Sequence, residues 1–352
     1  MKIIILSSSR NLKYGAGMNR VIFNAQTELD ASFNKVLYIS ADSFLELLKG
    51  LTKIIFENPF SFDYFIFNSL ASIRKKYNKH WVFFLKTAKL FHVKIVIYWH
   101  EMPEYFDDFK KKSDNQFDLK LINKYFKNKN YLHLCVSHAC SAVAKNFDKN
   151  ANKHIIYNTI KPNQYLSKLQ YNTFTIVTVG SIQHIKGTDL WTDIALEVCK
   201  KKENVQFIWC GGALDKKLFD ECLKKVKNNG LEDRILFLGH IDDAKSITAA
   251  AHLYFSSSRL DSMPLAVLEA ISFGKNVMHY DSGGILEAVG EQGIRIENFD
   301  VEETKNKILE KIKDFENNAN SIFNKHLYDR FYENFTPTLF VNRLKKALEE
   351  NT

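Results

Sequence analysis

The stretch Asp261-Ser-Met-Pro-Leu-Ala-Val-Leu-Glu269 sets two carboxylates eight positions apart across an apolar run. Pro264 stands near the first turn and Gly274 just past the last, the usual placing of proline and glycine around a helix. The loop at 262–265 would offer the backbone N–H groups of Ser262, Met263 and Leu265 to an anion, with the helix dipole behind them. Glu269, two turns on, is placed to accept hydrogen bonds from a diol such as a ribose. The competing reading is an amphipathic helix with one surface acid. His100 ends an apolar run and reads either as a satisfied strand-end histidine or as a direct contact to substrate. Glu101 and Glu104 read as bases, acceptor contacts or helix-start acids, while His133 and His138 lack a ligand partner set and read as structural.

Such groups need a scaffold. A chain of 352 residues suits about two domains. Its 45% hydrophobic and 25% charged residues exclude collagen, low-complexity disorder and disulfide-stapled miniatures. Short β-branched or aromatic runs at Ile3–Leu6, Val36–Ile39, Tyr64–Asn68, Lys94–Trp99, Leu132–Ser137 and His154–Tyr157 alternate with helix-length stretches such as Met18–Leu29 and Asn78–Phe91. That alternation predicts a parallel sheet with crossover helices. Polar Lys161–Thr173, with Pro162, reads as a linker. A second series follows, with strands at Thr175–Val179, Val205–Cys210, Ile235–Leu238, Leu253–Phe255, Val277–Tyr280 and Gly293–Ile296. Helices are expected at Asp189–Lys200, Lys216–Asn228 and Pro264–Ser272. Two doubly wound domains bind ligands at strand C-terminal ends, in a shared cleft.

The charge is uneven. Residues 1–168 carry 26 Lys and Arg against 13 Asp and Glu, and the remainder 23 against 27. The basic half predicts an anionic partner, for which a phosphate-bearing substrate or acidic membrane fits better than nucleic acid, since no nucleic-acid module is present. Lys75–Lys94 interleaves lysines with Trp81, Phe83, Phe84 and Phe91, and reads as a sheet-packing helix with a basic outer face or as an interfacial helix. Lys110-Lys111-Lys112 reads as a solvated face. No apolar run reaches the roughly 20 residues of a membrane helix, and the start is too quickly polar for a signal peptide. Five cysteines without CxxC or metal-ligand spacing read as reduced, buried packing groups in a cytoplasmic protein.

Asp261 to Glu269 resembles the E-x7-E signature of the family-four retaining glycosyltransferases, which have the GT-B fold. Asp281-Ser-Gly-Gly-Ile-Leu-Glu287 is similar to that family's GG-x-x-E loop, and Val179–Gly187 to its G-R-x4-K-G phosphate loop. Phe207–Gly212 and Leu236–His240 resemble the next two strands, so the likeness runs in order across most of 175–300. More loosely, Ala16-Gly-Met-Asn-Arg-Val21 resembles the GG-x-x-R-V turn, Tyr98-Trp-His-Glu101 the strand-end histidine motif, and Val136-Ser137 with Ile156-Tyr-Asn158 the strand ends before the linker.

The resemblance implies an α/β GT-B enzyme of two Rossmann-like domains facing a central cleft. Residues 1–165 would bind acceptor, 170–330 the nucleotide-sugar, and 331–352 would return to the first domain, with Pro337–Leu348 as the crossing helix. Lys186, His100 and Asp261 would be catalytic. Gly17, Ser181, Lys186, Arg259, Ser262, Met263, Pro264, Leu265 and Glu269 would hold the donor. Lys186, a point charge, suits phosphate oxygens, and Gly17 lets backbone approach an anion closely. The implied reaction moves a sugar with retention to a glycan or lipid-linked glycan, in surface polysaccharide or lipopolysaccharide assembly. Same-face attack, with the leaving phosphate accepting the proton, needs no metal or cofactor. The chain departs from the family twice, with Asp261 for the usual Glu and Ser181 for the usual Arg. Loss of that guanidinium with nothing to replace it costs about 1.5–3 kcal/mol, and Arg259 or His184 are the candidate replacements. The rivals are a GT-B sugar-nucleotide epimerase and a catalytically silent glycan-binding scaffold.

Overall fold

Runs such as Tyr64–Asn68 and Lys94–Trp99 are apolar on both faces, as strands covered on both sides require. The computed structural model describes residues 1–7, 17–40, 43–69, 82, 85–86, 88–104, 119–127, 129–162 and 169–351. The chain divides into two compact units, residues 1–161 with 335–352, and residues 162–334.

In the first unit, strands β1 (Lys2–Ser7), β2 (Lys35–Ser40), β3 (Tyr64–Asn68), β4 (Lys94–Trp99), β5 (Leu132–Cys135) and β6 (Asn152–Ile155) form a sheet in the order β2-β1-β3-β4-β5-β6. Every pairing is parallel. Its helices include α1 (Gly17–Ser32), α2 (Phe44–Phe56), α3 (Leu119–Phe126) and α4 (Ser141–Phe147).

The second unit holds β7 (Phe174–Val179), β8 (Val205–Cys210), β9 (Ile235–Gly239), β10 (Leu253–Ser256), β11 (Asn276–Tyr280) and β12 (Ile294–Ile296), all parallel, in the order β12-β11-β10-β7-β8-β9. Helices α5 (Thr188–Lys201), α6 (Lys216–Asn228), α7 (Ala244–Ala250), α8 (Leu265–Ser272), α9 (Ile285–Val289), α10 (Val301–Asn317) and α11 (Lys325–Asn334) surround it. Trp191, Trp209, Phe207 and Phe237 pack edge-on or tilted at its centre. These are the doubly wound sheets expected of each GT-B half.

The last helix, α12 (Pro337–Glu349), belongs to the first unit and packs on α1. Thr336 caps it through Leu339 N, and the Tyr64 hydroxyl donates to the Leu348 carbonyl at 2.7 Å. All five cysteines are buried and free. Among the described residues, no helix is long and apolar enough to cross a membrane. The Lys110–Lys112 run and most of the Lys75–Lys94 segment lie outside the described residues.

Candidate functional site

The winding of the second unit reverses between β7 and β10, which are neighbours although β8, β9 and helices α5, α6 and α7 intervene in sequence. Open parallel sheets bind ligands beyond the carboxyl ends of strands at such a point. The two segments leaving these strands are 180–187 and 257–264.

They are stitched together. Arg259 N donates to the Ile185 carbonyl at 2.9 Å, and the Ser257 hydroxyl to the Lys186 carbonyl at 2.9 Å. Gly187 has φ of +68°, and a Cβ there would lie 1.9 Å from the Ser257 carbonyl oxygen, so only glycine permits this approach. The outcome is that Lys186 Nζ is ion-paired with Asp261, their side chains 25% and 11% exposed. The Asp261 carbonyl in turn accepts from Gly284 N at 2.8 Å, drawing in the loop after β11. Ser282 Oγ in that loop is buried and has no hydrogen-bond partner.

Glu269 sits on α8, 5% exposed, with Lys245 Nζ of α7 3.7 Å from its carboxylate. Tyr254 of β10 is buried near both acids. Burial first, and then the charges of Glu269 and Asp261, raise its phenol well above the usual range. Pro264 is the N-cap residue of α8, and no side chain caps that end. Met263 and Leu265 are buried, so their offer to a ligand is backbone.

Ser181 Oγ accepts from Gln183 Nε2 at 2.8 Å. Arg259 spends its fork on the protein, bonding both Asp189 oxygens at 2.7 Å and the His184 carbonyl at 2.7 Å. Burial would raise the Asp189 carboxyl, but the hydrogen bonds and charge of Arg259 hold it below its ordinary value. Lys186 is therefore the cation of this loop that is held toward Asp261 and α8. Among the described residues, no cluster of three His, Cys, Asp or Glu is arranged to hold a metal ion.

In the first unit the strand ends of β3 and β4 carry a separate polar cluster. Asn68 Nδ2 donates to the Met18 carbonyl at 3.0 Å, which turns its Oδ1 toward His100 Nε2 at 2.8 Å. Nε2 thus carries the proton and Nδ1 is the acceptor. Burial lowers the His100 pKa to about 3, so the ring is neutral. Ser69, at a φ of +80° unusual for a side chain-bearing residue, donates its hydroxyl to Glu101. Glu101 is 5% exposed and also accepts from His100 N at 3.0 Å, which makes it an organiser of this turn. Gly17 starts α1, and among the described residues nothing lies close enough to require a glycine there. His133 is fully buried, accepting from Trp99 Nε1 at 2.8 Å, as a structural histidine does.

Sequence reasoning misses Asn68, Ser69, Tyr254 and Lys245. The signal for Asn68 is a polar residue closing an apolar run; none exists for Lys245.

Residues 173–314 match the family Glycosyl transferases group 1. Over 141 residues the chain is 27% identical to a Homo sapiens subunit of phosphatidylinositol N-acetylglucosaminyltransferase, 39% of this chain and 28% of that protein. Over 118 residues it is 33% identical to the lipopolysaccharide core biosynthesis mannosyltransferase LpcC of Rhizobium leguminosarum bv. viciae, 32% of this chain and 34% of that protein. The matched stretch thus spans about a third or less of either relative's length. Among solved structures, Anabaena Alr3699/HepE in complex with UDP and glucose aligns over 99% of this chain and 100% of its own, with a TM-score of 0.74 and 20% identity. The apo form of the lipopolysaccharide outer core galactosyltransferase WaaB aligns over 100% of both chains, with a TM-score of 0.67 and 14% identity. The fold of this chain is theirs.

Proposed function

We propose that this chain, whose residues 173–314 match the glycosyl transferases group 1 family, moves a sugar from a nucleotide-sugar to a glycan or lipid-linked glycan acceptor, with retention. The observation that carries the reading is the Lys186–Asp261 pair at the winding reversal, with Glu269 on the helix that follows. A nucleoside diphosphate leaving group gains charge as the glycosidic bond breaks, and a fixed cation aimed at that charge is commonly the largest catalytic contribution. Lys186 supplies it. Glu269 accepts from ribose hydroxyls, Asp261 holds the sugar, the 262–265 backbone holds the phosphate, and Ser181 leaves room for it. The acceptor approaches the same face of the sugar that the phosphate leaves, and the departing phosphate oxygen takes the acceptor proton. His100, neutral with Nδ1 as its acceptor, orients hydroxyls of donor or acceptor rather than supplying a proton. The 1–165 region takes the acceptor and 170–330 the donor. Surface polysaccharide or lipopolysaccharide assembly is the setting supported by the names of LpcC and WaaB.

A thermal-shift panel of UDP- and GDP-sugars tests the donor. A ligand at 100 times its dissociation constant adds about 2.7 kcal/mol to the stability of the unit that binds it. Transfer from the stabilising donor, followed by NMR of the product's anomeric proton, tests retention. One observation favours a second reading, binding without turnover: Arg259 is committed to Asp189 and leaves Ser181 without a guanidinium substitute. Donor binding with no transfer to any glycan would support that reading over the first.

A further inference from the structure

Helix α2 is built the wrong way round for a helix facing water. Ser43 caps it through Glu46 N at 3.3 Å, and its inner face is set by Gly50 and Ile54. A Cβ at Gly50 would lie 2.5 Å from Ile39 of β2, so this face lies hard on the sheet. At 100° per residue, the side opposite Gly50 falls to Leu45, Leu48, Thr52, Ile55 and Phe56. A surface helix normally places polar groups there. Here Leu45 is 57% exposed, Leu48 43%, Ile55 64% and Phe56 89%. The apolar surface continues past the helix. Phe60 is 68% exposed and packs edge-on to Phe91 at 4.8 Å, and Leu90 beside it is 70% exposed. Exposed Lys53, Lys86 and Lys89 stand on the same two segments, and Lys49 is paired with Glu46 at 2.9 Å. Scattered exposed leucines need no account, but a patch of this kind marks a binding surface.

We propose that the outer face of α2, with Phe60 and Leu90, seats this protein on an anionic lipid bilayer. The apolar side chains enter the acyl boundary and the lysines meet lipid phosphates, as in a helix lying in the interface plane. Charge complementarity selects this occupant. A symmetric contact between two copies would bring each patch, with Lys53, Lys86 and Lys89, against itself. An acidic leaflet pairs with those lysines instead, and with the twofold excess of basic residues over residues 1–168. The seat places the first unit, where the acceptor is proposed to bind, beside a lipid-linked substrate. It needs nothing from the transfer reading, because vesicle binding is measured without donor or acceptor.

The test is co-sedimentation of the full chain with vesicles of phosphatidylcholine containing 30% phosphatidylglycerol, and with phosphatidylcholine alone, at 0.1 M salt. Binding to the anionic vesicles at least tenfold tighter than to the neutral ones is expected. The double variant Ile55→Asp, Phe56→Asp should lose at least tenfold of that binding while keeping the wild-type melting temperature, since both side chains are exposed. The indole fluorescence added by Phe56→Trp should be quenched by brominated anionic lipids, which reports insertion beyond mere adsorption. Equal binding to both vesicles, a double variant that binds as wild type, or an unquenched indole in Phe56→Trp would overturn the proposal. So would a concentration-dependent dimer that the double variant dissolves, which would assign the face to a second copy.

Discussion

Lys186 and Asp261, 75 positions apart, form an ion pair because the loops after β7 and β10 are bonded to each other along their backbones. The pair is withdrawn from solvent enough for its charges to be felt, yet neither group is sealed in. A diphosphate that reaches Lys186 must therefore compete with Asp261. The 180–187 loop holds its cation against a carboxylate, and each partner can be tested by removing the other.

Lys186→Ala should lower kcat by about 10²–10³, the scale of losing one strong electrostatic donor, with a smaller effect on donor KM. The charge matters more in the transition state, where the bridging oxygen gains charge, than in the ground state. Steady-state kinetics with the identified donor decide it. A kcat within about threefold of wild type, roughly 0.65 kcal/mol of barrier, would mean that the charge comes from elsewhere.

Asp261→Asn should separate two roles. Nucleoside diphosphate alone should bind about three- to tenfold tighter, roughly 0.65–1.4 kcal/mol, because Lys186 no longer has a competing carboxylate. Transfer should fall, because the contact to the donor sugar is lost. Calorimetry with UDP or GDP checks the first part, and weaker binding would show that Asp261 helps the phosphate instead of competing for its cation.

Gly187→Ala should destabilise the second unit by at least about 2 kcal/mol. The native φ of +68° strains any L side chain, and the new methyl would collide with the Ser257 carbonyl. Denaturant titration monitored by tryptophan fluorescence measures it; Trp191 and Trp209 both lie in the core of this unit. A variant as stable as wild type would mean that the 180–187 loop can reseat.

How much of this is legible in the sequence depends on range. Tyr64–Asn68, Lys94–Trp99 and Val205–Cys210 are read to the residue, because strands covered on both faces are short, mainly apolar runs rich in β-branched and aromatic residues. Helix α2 escapes such a reading, although Phe44–Phe56 gathers Glu46, Lys49 and Lys53 on one side at helical spacing. Helix α10 escapes it too, although Asp300 with Glu303 is a capping signal and Ile308 and Ile312 mark its buried stripe. At the site, residue types and short spacings point to Lys186, Asp261 and Glu269. The pairing of Lys186 with Asp261, and of Arg259 with Asp189, depends on which strands become neighbours. Local pattern does not encode that.

Acid should weaken the first unit through His133. It is fully buried, accepts from Trp99 Nε1, and burial lowers its pKa to about 4. Its folded pKa lies below the unfolded value of about 6.5, so the unfolded chain takes up the proton first. The stability that His133 confers is complete above pH 6.5 and is lost as pH falls toward 4. At pH 5 the loss is about 2 kcal/mol from this group. Melting temperatures at pH 7 and pH 5 should fall less for His133→Gln than for wild type. An equal fall would place the acid sensitivity in other histidines, such as His252, which burial lowers likewise to about 4.

Glu269→Ala should weaken donor binding by about 1.5–3 kcal/mol, the scale of a charge-assisted hydrogen bond, equivalent to roughly 10- to 150-fold in Kd. The carboxylate has a second candidate duty, because Lys245 Nζ lies 3.7 Å away and the residue is buried. A purely structural role would surface as lost stability, and Lys245→Ala would then reproduce it. A diol-binding role would leave Lys245→Ala with near-normal donor affinity and would also discriminate among ligands. The ribonucleoside diphosphate should lose most of its affinity for Glu269→Ala, while its 2′,3′-dideoxy analogue, already weak on wild type, should lose little more. Calorimetry on both variants with both nucleotides separates these outcomes. Equal losses for the two nucleotides on Glu269→Ala would remove Glu269 from the ribose and return it to the packing of α8 against α7.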